Sequence, residues 1–157
     1  MEVKFSEAAL KEYDAIVKKY PERRGALLPV LHLAQREFGW ISRDAMRYIS
    51  ELLDIPLTNV LDTASFYTMF KLQPAGKYHI QLCSTLSCAL RGSRQIYEHV
   101  SQKYGIGDGE VTPDGKFSLL KVECLGSCGT APVVQINDDY YEDMTIEKLD
   151  KVLDGLK

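Results

Sequence analysis

Four cysteines form two close pairs in the second half of this 157-residue chain. Cys83 and Cys88 enclose the residues Ser-Thr-Leu-Ser, and Cys124 and Cys128 enclose Leu-Gly-Ser. Thiolates in short loops bind iron–sulfur clusters or zinc, and four thiolates are the usual ligand set of a 2Fe–2S cluster. The two pairs therefore predict a metal centre, with the iron–sulfur cluster as the first interpretation.

Spacing alone leaves other uses of these cysteines open. Zinc also binds four thiolates, but its knuckles usually have a C-x-x-C spacing, which fits these two pairs less well. A thiol redox enzyme prefers C-x-x-C at a strand–helix junction, a pattern that the chain lacks. Buried cysteines without a ligand are common, but core packing gives no reason to confine all four to two loops. The spacing also differs from that of plant-type ferredoxins. Zinc stays the main alternative.

Each cysteine pair directly follows a predicted strand. If the two strands lie side by side, both loops leave the same end of the sheet and four thiolates can converge. The helix expected after Cys88 would direct its positive N-terminal end at an anionic cluster. Further candidate donors are the amides of Gly126, Ser127 and Gly129, the hydroxyls of Ser84, Thr85, Ser87 and Thr130, and the guanidinium groups of Arg91 and Arg94.

The first half of the chain predicts four short helices. Ser6 caps the first, Gly39 ends a second that covers 27–38, and Ser42 caps a third that runs to about Leu53. Thr58 is predicted to cap the fourth. That helix would carry an apolar run of core residues, one or two of which would lie at a partner interface: Phe66, Tyr67, Met69 and Phe70.

The second half has a different periodicity. Strands are predicted at 78–83, 117–123 and 132–136 and near 140–141, and helices at about 90–104 and from the Thr145 cap to about Leu156. The order is β-α-β-β-β-α. The chain is therefore predicted to be α+β, with a helical bundle at 1–74 followed by an open mixed sheet at 75–157.

Composition narrows the classes of function. Hydrophobic residues make up 45% of the chain and charged residues 26%, a mixture that supports an ordinary core. The net charge of −3 argues against nucleic-acid binding. No apolar run is long enough to insert into a membrane, and the first residues lack the apolar core of a signal peptide. We therefore expect the protein to lie in a reducing cytoplasm, where structural disulfides are rare. The chain also lacks the glycine-rich patterns of nucleotide sites.

The motif Cys83-x₄-Cys88 with Cys124-Leu-Gly-Ser-Cys128-x₃-Pro132 resembles the thioredoxin-like 2Fe–2S ferredoxins. Nearly the whole chain is similar to the small, NuoE-type iron–sulfur subunit of respiratory complex I, the NADH-quinone oxidoreductase. Further matching segments are 29–35, 38–41, 65–70, 112–117, and 131–132 with 136–138. Ferredoxins of this class that act alone generally lack the helical bundle, so its presence favours a subunit over a free carrier.

The resemblance implies a function. One 2Fe–2S cluster would be bound by Cys83, Cys88, Cys124 and Cys128 in a thioredoxin-like domain, and it would take single electrons from a flavoprotein partner that binds FMN and NADH. The chain alone would have no catalytic residues. It would lie in the cytoplasm, at the cytoplasmic face of the inner membrane through the complex. Pro132 is the position where thioredoxin-like folds often carry a cis proline.

Two alternatives accompany this hypothesis. Relatives of the family serve NAD-dependent hydrogenases, including bifurcating ones, and formate dehydrogenases, so the chain could be the equivalent subunit there. From a different class, a zinc-stapled module would only assemble subunits and would have no redox role.

Overall fold

A computed structural model describes residues 3–157 of the chain. The chain divides into two compact units between Pro74 and Ala75. Within residues 3–157, no helix is both long and apolar enough to cross a lipid bilayer. Each unit has its own hydrophobic core.

The first unit is built from four helices. They are α1 (Glu7–Val17), α2 (Leu27–Phe38), α3 (Arg43–Leu53) and α4 (Leu57–Phe66). A short 3-10 turn at Arg23–Ala26, which the sequence did not predict, leads into α2. The apolar faces of the helices meet in one core, whose largest fully buried members are Leu31, Ile41, Ile49 and Leu53.

Local chemistry sets most of these helix boundaries as predicted. The Ser6 and Ser42 hydroxyls accept hydrogen bonds from the backbone N–H groups of Ala9 and Ala45, at 3.2 and 3.0 Å, and so cap α1 and α3. Gly39 ends α2 with a φ of 81°, a conformation that glycine adopts without steric cost.

Replacing Ser42 with alanine should lower the free energy of unfolding by about 1 kcal/mol, because an N–H at the start of α3 loses its acceptor. Urea denaturation followed by the helical circular dichroism signal measures the change. Ser42→Asp keeps an acceptor and should restore most of the loss. Ser65→Ala is the matched control, because that hydroxyl only donates back to the Asp62 carbonyl within α4. Equal losses from both alanine variants would contradict the capping role.

The prediction for α4 was wrong at both ends. Pro56, not Thr58, is the cap residue, because its extended backbone precedes the first helical turn at Leu57. The helix ends at Phe66 instead of continuing to Phe70. Beyond Phe66 the backbone bonds to a side chain of α2 instead of continuing the helix. The Gln35 amide accepts from the Lys71 N–H at 2.6 Å and donates to the Met69 carbonyl at 2.9 Å.

The apolar residues from Phe66 to Phe70, of which only Phe66 belongs to α4, therefore do not lie on one helical face. Phe70 is buried and packs its ring 5.0 Å from that of His32. Phe66 is 77% exposed, and Tyr67 and Met69 are also exposed.

The second unit contains a four-stranded sheet. Its strands are β1 (Tyr78–Cys83), β2 (Phe117–Val122), β3 (Val134–Ile136) and β4 (Asp139–Tyr141). The spatial order is β2-β1-β3-β4. β1 and β2 are parallel, and the other two pairs are antiparallel. The predicted open mixed sheet in an α+β chain is confirmed.

Three helices accompany this sheet. They are α5 (Leu86–Leu90), α6 (Ser93–Tyr104) and α7 (Ile146–Gly155), and Thr145 caps the last as predicted. The helix predicted at about 90–104 is α6. The sequence did not predict the short helix α5 before it, which Gly92, with a φ of 98°, separates from α6. The core of the unit is centred on Ile80, Leu82, Leu119, Leu149 and Leu153.

Candidate metal centre

The two cysteine loops leave neighbouring strand ends of the sheet. Cys83 is the last residue of β1, and its partner in the parallel register is Val122, the last residue of β2. Cys124 follows two residues later. The Ser84 N–H donates to the Val122 carbonyl at 2.9 Å, so the first loop is hydrogen-bonded to the end of β2. The expectation that both loops emerge together is confirmed.

The four thiols differ in exposure, and all four are free of disulfides. Cys83 and Cys88 are buried, whereas Cys124 and Cys128 are exposed. Cys88 lies within α5, and Cys128 begins a 3-10 turn. The buried pair forms a small apolar cluster with Ala131, Val133 and the partly buried Leu125. The side of the site with Cys83 and Cys88 is therefore shielded from solvent, and the side with Cys124 and Cys128 is exposed to it.

Hydrogen bonds from both loops reach the Cys83 sulfur. The Thr85 hydroxyl lies 3.4 Å away, and the N–H groups of Thr85 and Leu125 also donate to it. Burial raises the pKa of the Cys83 thiol, but these donors outweigh burial and hold the pKa below its ordinary value. Because Leu125 belongs to the second loop, this contact joins the two cysteine pairs.

Cys88 lies close to two other thiols. Burial is the largest influence and raises its pKa, although the Val133 N–H donates to its sulfur. The hydrogen bond with Cys83 and the negative charges of Cys83 and Cys128 raise the pKa further. Two of the other predicted ligands, Cys83 and Cys128, thus influence Cys88. The fourth, Cys124, accepts a hydrogen bond from the Gly126 N–H at 3.3 Å.

Some of the predicted donors have other partners. Thr85 and Gly126 do contact cysteine sulfurs, whereas the Ser84 hydroxyl donates to the Val122 carbonyl at 3.0 Å. Arg91 donates to the Ala131 carbonyl at 2.6 Å and so links the first loop to the second.

The positive charge expected near the cysteines has two sources. Arg94 pairs with Glu98 on the surface of α6, and it also lines a cavity together with Cys83 and Ser93. The helix predicted after Cys88 is present as α6, but it begins only at Ser93, because Cys88 itself lies inside the short helix α5. A role of that N-terminus toward a cluster stays a prediction.

A segment that the sequence did not single out holds the second loop in place. We call residues 140–144, which form the end of β4 and the turn after it, the strap. The Tyr140 hydroxyl donates to the Leu125 carbonyl at 3.1 Å, and the Glu142 carboxylate accepts from the Ser127 hydroxyl. The N–H groups of Asp143 and Met144 donate to the carbonyls of Thr130 and Pro132, at 2.7 and 3.0 Å. The peptide bond between Ala131 and Pro132 is cis, as hypothesised.

The three histidines make structural contacts. His32 packs against Phe70, the His79 ring lies 2.7 Å from the Ser118 hydroxyl, and His99 lies 2.9 Å from the Asp150 carboxylate.

The chemistry of the donor set fits a binuclear cluster. A 2Fe–2S cluster distributes four thiolates over two irons, so each iron needs two of them. Two thiols from each loop, with N–H donors already on Cys83, Cys88 and Cys124, match this requirement.

Comparison with known proteins gives close relatives over most of the chain. The chain is 50% identical over 156 residues to an NADH-quinone oxidoreductase subunit of Rickettsia bellii, covering 98% of this chain and 93% of that protein. It is 48% identical over 142 residues to an NADH-quinone oxidoreductase subunit of Thermus thermophilus, covering 88% and 78% of the two chains.

A solved structure shares the fold. It is an NAD⁺-reducing [NiFe]-hydrogenase in the air-oxidized state, with a TM-score of 0.71 and 23% sequence identity. The match covers 83% of this chain but only 22% of the hydrogenase chain, so this chain spans about a fifth of that protein.

The sequence profile of one family matches residues 13–157 of the chain. Its description, "Thioredoxin-like [2Fe-2S] ferredoxin", agrees with the mixed sheet and with the resemblance inferred from the cysteine motif. The chain belongs to the thioredoxin-like [2Fe–2S] ferredoxin family.

Proposed function

We propose that this chain is the electron-transfer subunit of an NADH-quinone oxidoreductase, with one 2Fe–2S cluster bound by Cys83, Cys88, Cys124 and Cys128. The observation that carries the proposal is the junction of the two cysteine loops, where the Cys83 sulfur lies 3.8 Å from the carbonyl of Glu123, the residue before Cys124. Relatives of about 50% identity that cover nearly the whole chain carry the name of that complex.

When bound, the cluster would supply one-electron chemistry, and the protein's part is to hold and tune it. Thiolates bind iron only when deprotonated, and the donors on Cys83 favour that form. The same N–H groups, from Leu125, Gly126 and Val133, would stabilise the negative charge of cluster sulfurs and raise the reduction potential. The buried side excludes water, and the exposed side near Cys124 and Cys128 lets an electron donor approach.

The partner belongs to the same proposal. We infer a flavoprotein subunit that binds FMN and NADH, in a complex at the cytoplasmic face of the inner membrane. A hydride delivers two electrons to a flavin, and an iron–sulfur centre removes them one at a time. The residues at 1–74 would form a helical domain and those at 75–157 the ferredoxin domain, consistent with the two compact units.

Two other functions could use the same site. The hydrogenase likeness, at 23% identity, concerns the fold, whereas the relatives near 50% identity favour the quinone-linked complex. A zinc-stapled assembly module would use the same four thiols but would be colourless and redox-inactive.

The experiment is anaerobic purification of the full chain, alone and co-expressed with its flavoprotein. We expect about two irons and two acid-labile sulfides per chain and a visible absorbance that dithionite bleaches. NADH should bleach it only when the flavoprotein is present, because this chain lacks the nucleotide-binding patterns.

Zinc at one ion per chain, without iron or sulfide, would refute the cluster. Bleaching by NADH without the flavoprotein would refute the division of roles between the two subunits. A cluster that the flavoprotein and NADH cannot reduce would refute the electron-transfer partner.

A further inference from the structure

The second cysteine loop is held both by its own turn and by hydrogen bonds to the strap. Gly126 has a φ of 75°, so the loop bends sharply between Cys124 and Cys128. The strap holds the carbonyls of Leu125, Thr130 and Pro132 through the hydrogen bonds described above. One of its attachments involves only side chains, and that one lies next to a predicted ligand.

That attachment is a relay of hydroxyl groups ending at a carboxylate. The Thr130 and Ser127 hydroxyl oxygens are 2.7 Å apart, and the Ser127 hydroxyl donates to the Glu142 carboxylate. With one proton on each hydroxyl, Ser127 donates to Glu142, and Thr130 donates to Ser127, whose hydroxyl oxygen lies at 2.7 Å and whose carbonyl oxygen lies at 3.3 Å. Both hydroxyl protons are thereby engaged. Ser127 directly precedes Cys128, so the carboxylate fixes the backbone at that cysteine.

We propose that Glu142 is a positioning residue for the cluster: by accepting the Ser127 hydroxyl it holds the loop of Cys124 and Cys128 in its ligand-presenting conformation and keeps the Ser127 and Thr130 hydroxyls from donating to cluster sulfurs. The inference rests on the proposed function of the four cysteines. It assigns a role to a residue in the strap, outside both cysteine loops.

The role has two separable consequences for the bound cluster. Holding the loop slows loss of the cluster, because two of the four thiolates stay in place. Occupying the hydroxyls keeps the reduction potential low, because a hydrogen bond to a cluster sulfur would stabilise the more negative reduced form. The negative charge of Glu142 acts in the same direction as this second effect.

Three variants of the full-length, cluster-loaded chain separate these effects. Glu142→Ala removes acceptor and charge, Glu142→Gln removes only the charge and keeps an oxygen that accepts from Ser127, and Ser127→Ala removes the donor while leaving the charge. The measurements are the rate at which an iron chelator removes the cluster, the reduction potential and the electron paramagnetic resonance spectrum of the reduced cluster.

We expect Glu142→Ala and Ser127→Ala to lose the cluster at least about tenfold faster than wild type, in line with the effect of other residues that orient metal ligands. Glu142→Gln should stay within about twofold of the wild-type rate. The potential should rise in the order wild type, Glu142→Gln, Glu142→Ala, and the spectrum should change most in Glu142→Ala. Asp139→Asn on β4 is the matched control, because it removes an exposed charge three residues before Glu142 without removing an attachment of the loop.

Wild-type rates and potential in Glu142→Ala would overturn the inference, and so would a Glu142→Gln cluster as labile as that of Glu142→Ala. If the wild-type chain itself carries no iron or sulfide, the proposed function has failed instead. Because Glu142 is exposed, its variants should keep the wild-type circular dichroism spectrum. Ser127→Ala tests the same bond from its other end.

Discussion

Replacing Cys124 with alanine should abolish the stable cluster. One iron would then have a single protein thiolate, and alanine offers no replacement ligand. We expect purified Cys124→Ala protein to contain less than about a tenth of the wild-type iron and sulfide, or to lose its visible absorbance within minutes of chelator addition. Iron and sulfide analysis together with the visible spectrum provides the measurement.

The control is Ser87→Ala, an equally small change in the first loop that removes no thiol. It should retain the full cluster content. A normal, stable cluster in Cys124→Ala would mean that the ligand set is wrong. A cluster lost equally in Ser87→Ala would mean that the loops tolerate no substitution and that cluster loss does not identify ligands.

Replacing Gly76 with alanine should give the largest loss of stability among the substitutions discussed. An added Cβ would lie 2.5 Å from the carbonyl carbon of Phe117, 2.8 Å from its oxygen and 2.8 Å from the Ser118 nitrogen. These are backbone atoms of β2, so no side-chain rotation can relieve the contact. The strand that pairs with β1 must shift, at a cost of about 3 kcal/mol.

The shift starts at the first residues of β2 and should weaken its pairing with β1, on which the placement of both cysteine loops at the other end depends. We expect a lower urea midpoint and a lower temperature at which the visible absorbance bleaches. Gly155→Ala is the matched control, because nothing lies within 4 Å of its added Cβ and alanine is the better helix residue at the end of α7. It should be neutral or slightly stabilising. Equal stability of the two variants would contradict the close approach of Gly76 to β2.

Boundaries that depend on local chemistry could be predicted from the sequence. Gly39 and Ser42 mark the end of α2 and the start of α3, and alternation of residue types marks β1. The end of α4 could not be predicted, because the apolar run continues to Phe70. A side chain on another helix, Gln35, is what draws the chain out of helical geometry there.

At the site, too, local patterns could be predicted from the sequence, whereas contacts between distant residues could not. The placement of both cysteine pairs after strands was enough to expect two adjacent loops, since neighbouring strand ends lie close together when the strands are parallel. The attachments of the strap depend on which backbone groups β4 happens to face, and no local pattern records that. Nothing in the sequence distinguishes Glu142 from the other acidic residues, and only the structure shows its hydrogen bond with Ser127.

The sequence distance between the paired loops has a consequence for how the protein matures. The Cys83 sulfur contacts the Glu123 carbonyl, 40 residues along the chain, so the two loops can meet only after β2 has been synthesised. A cluster bound by all four cysteines would therefore be loaded only after the chain has been made as far as Cys128. Because Cys124 and Cys128 are exposed and Cys83 and Cys88 are buried, a carrier delivering the cofactor would meet the outer pair first.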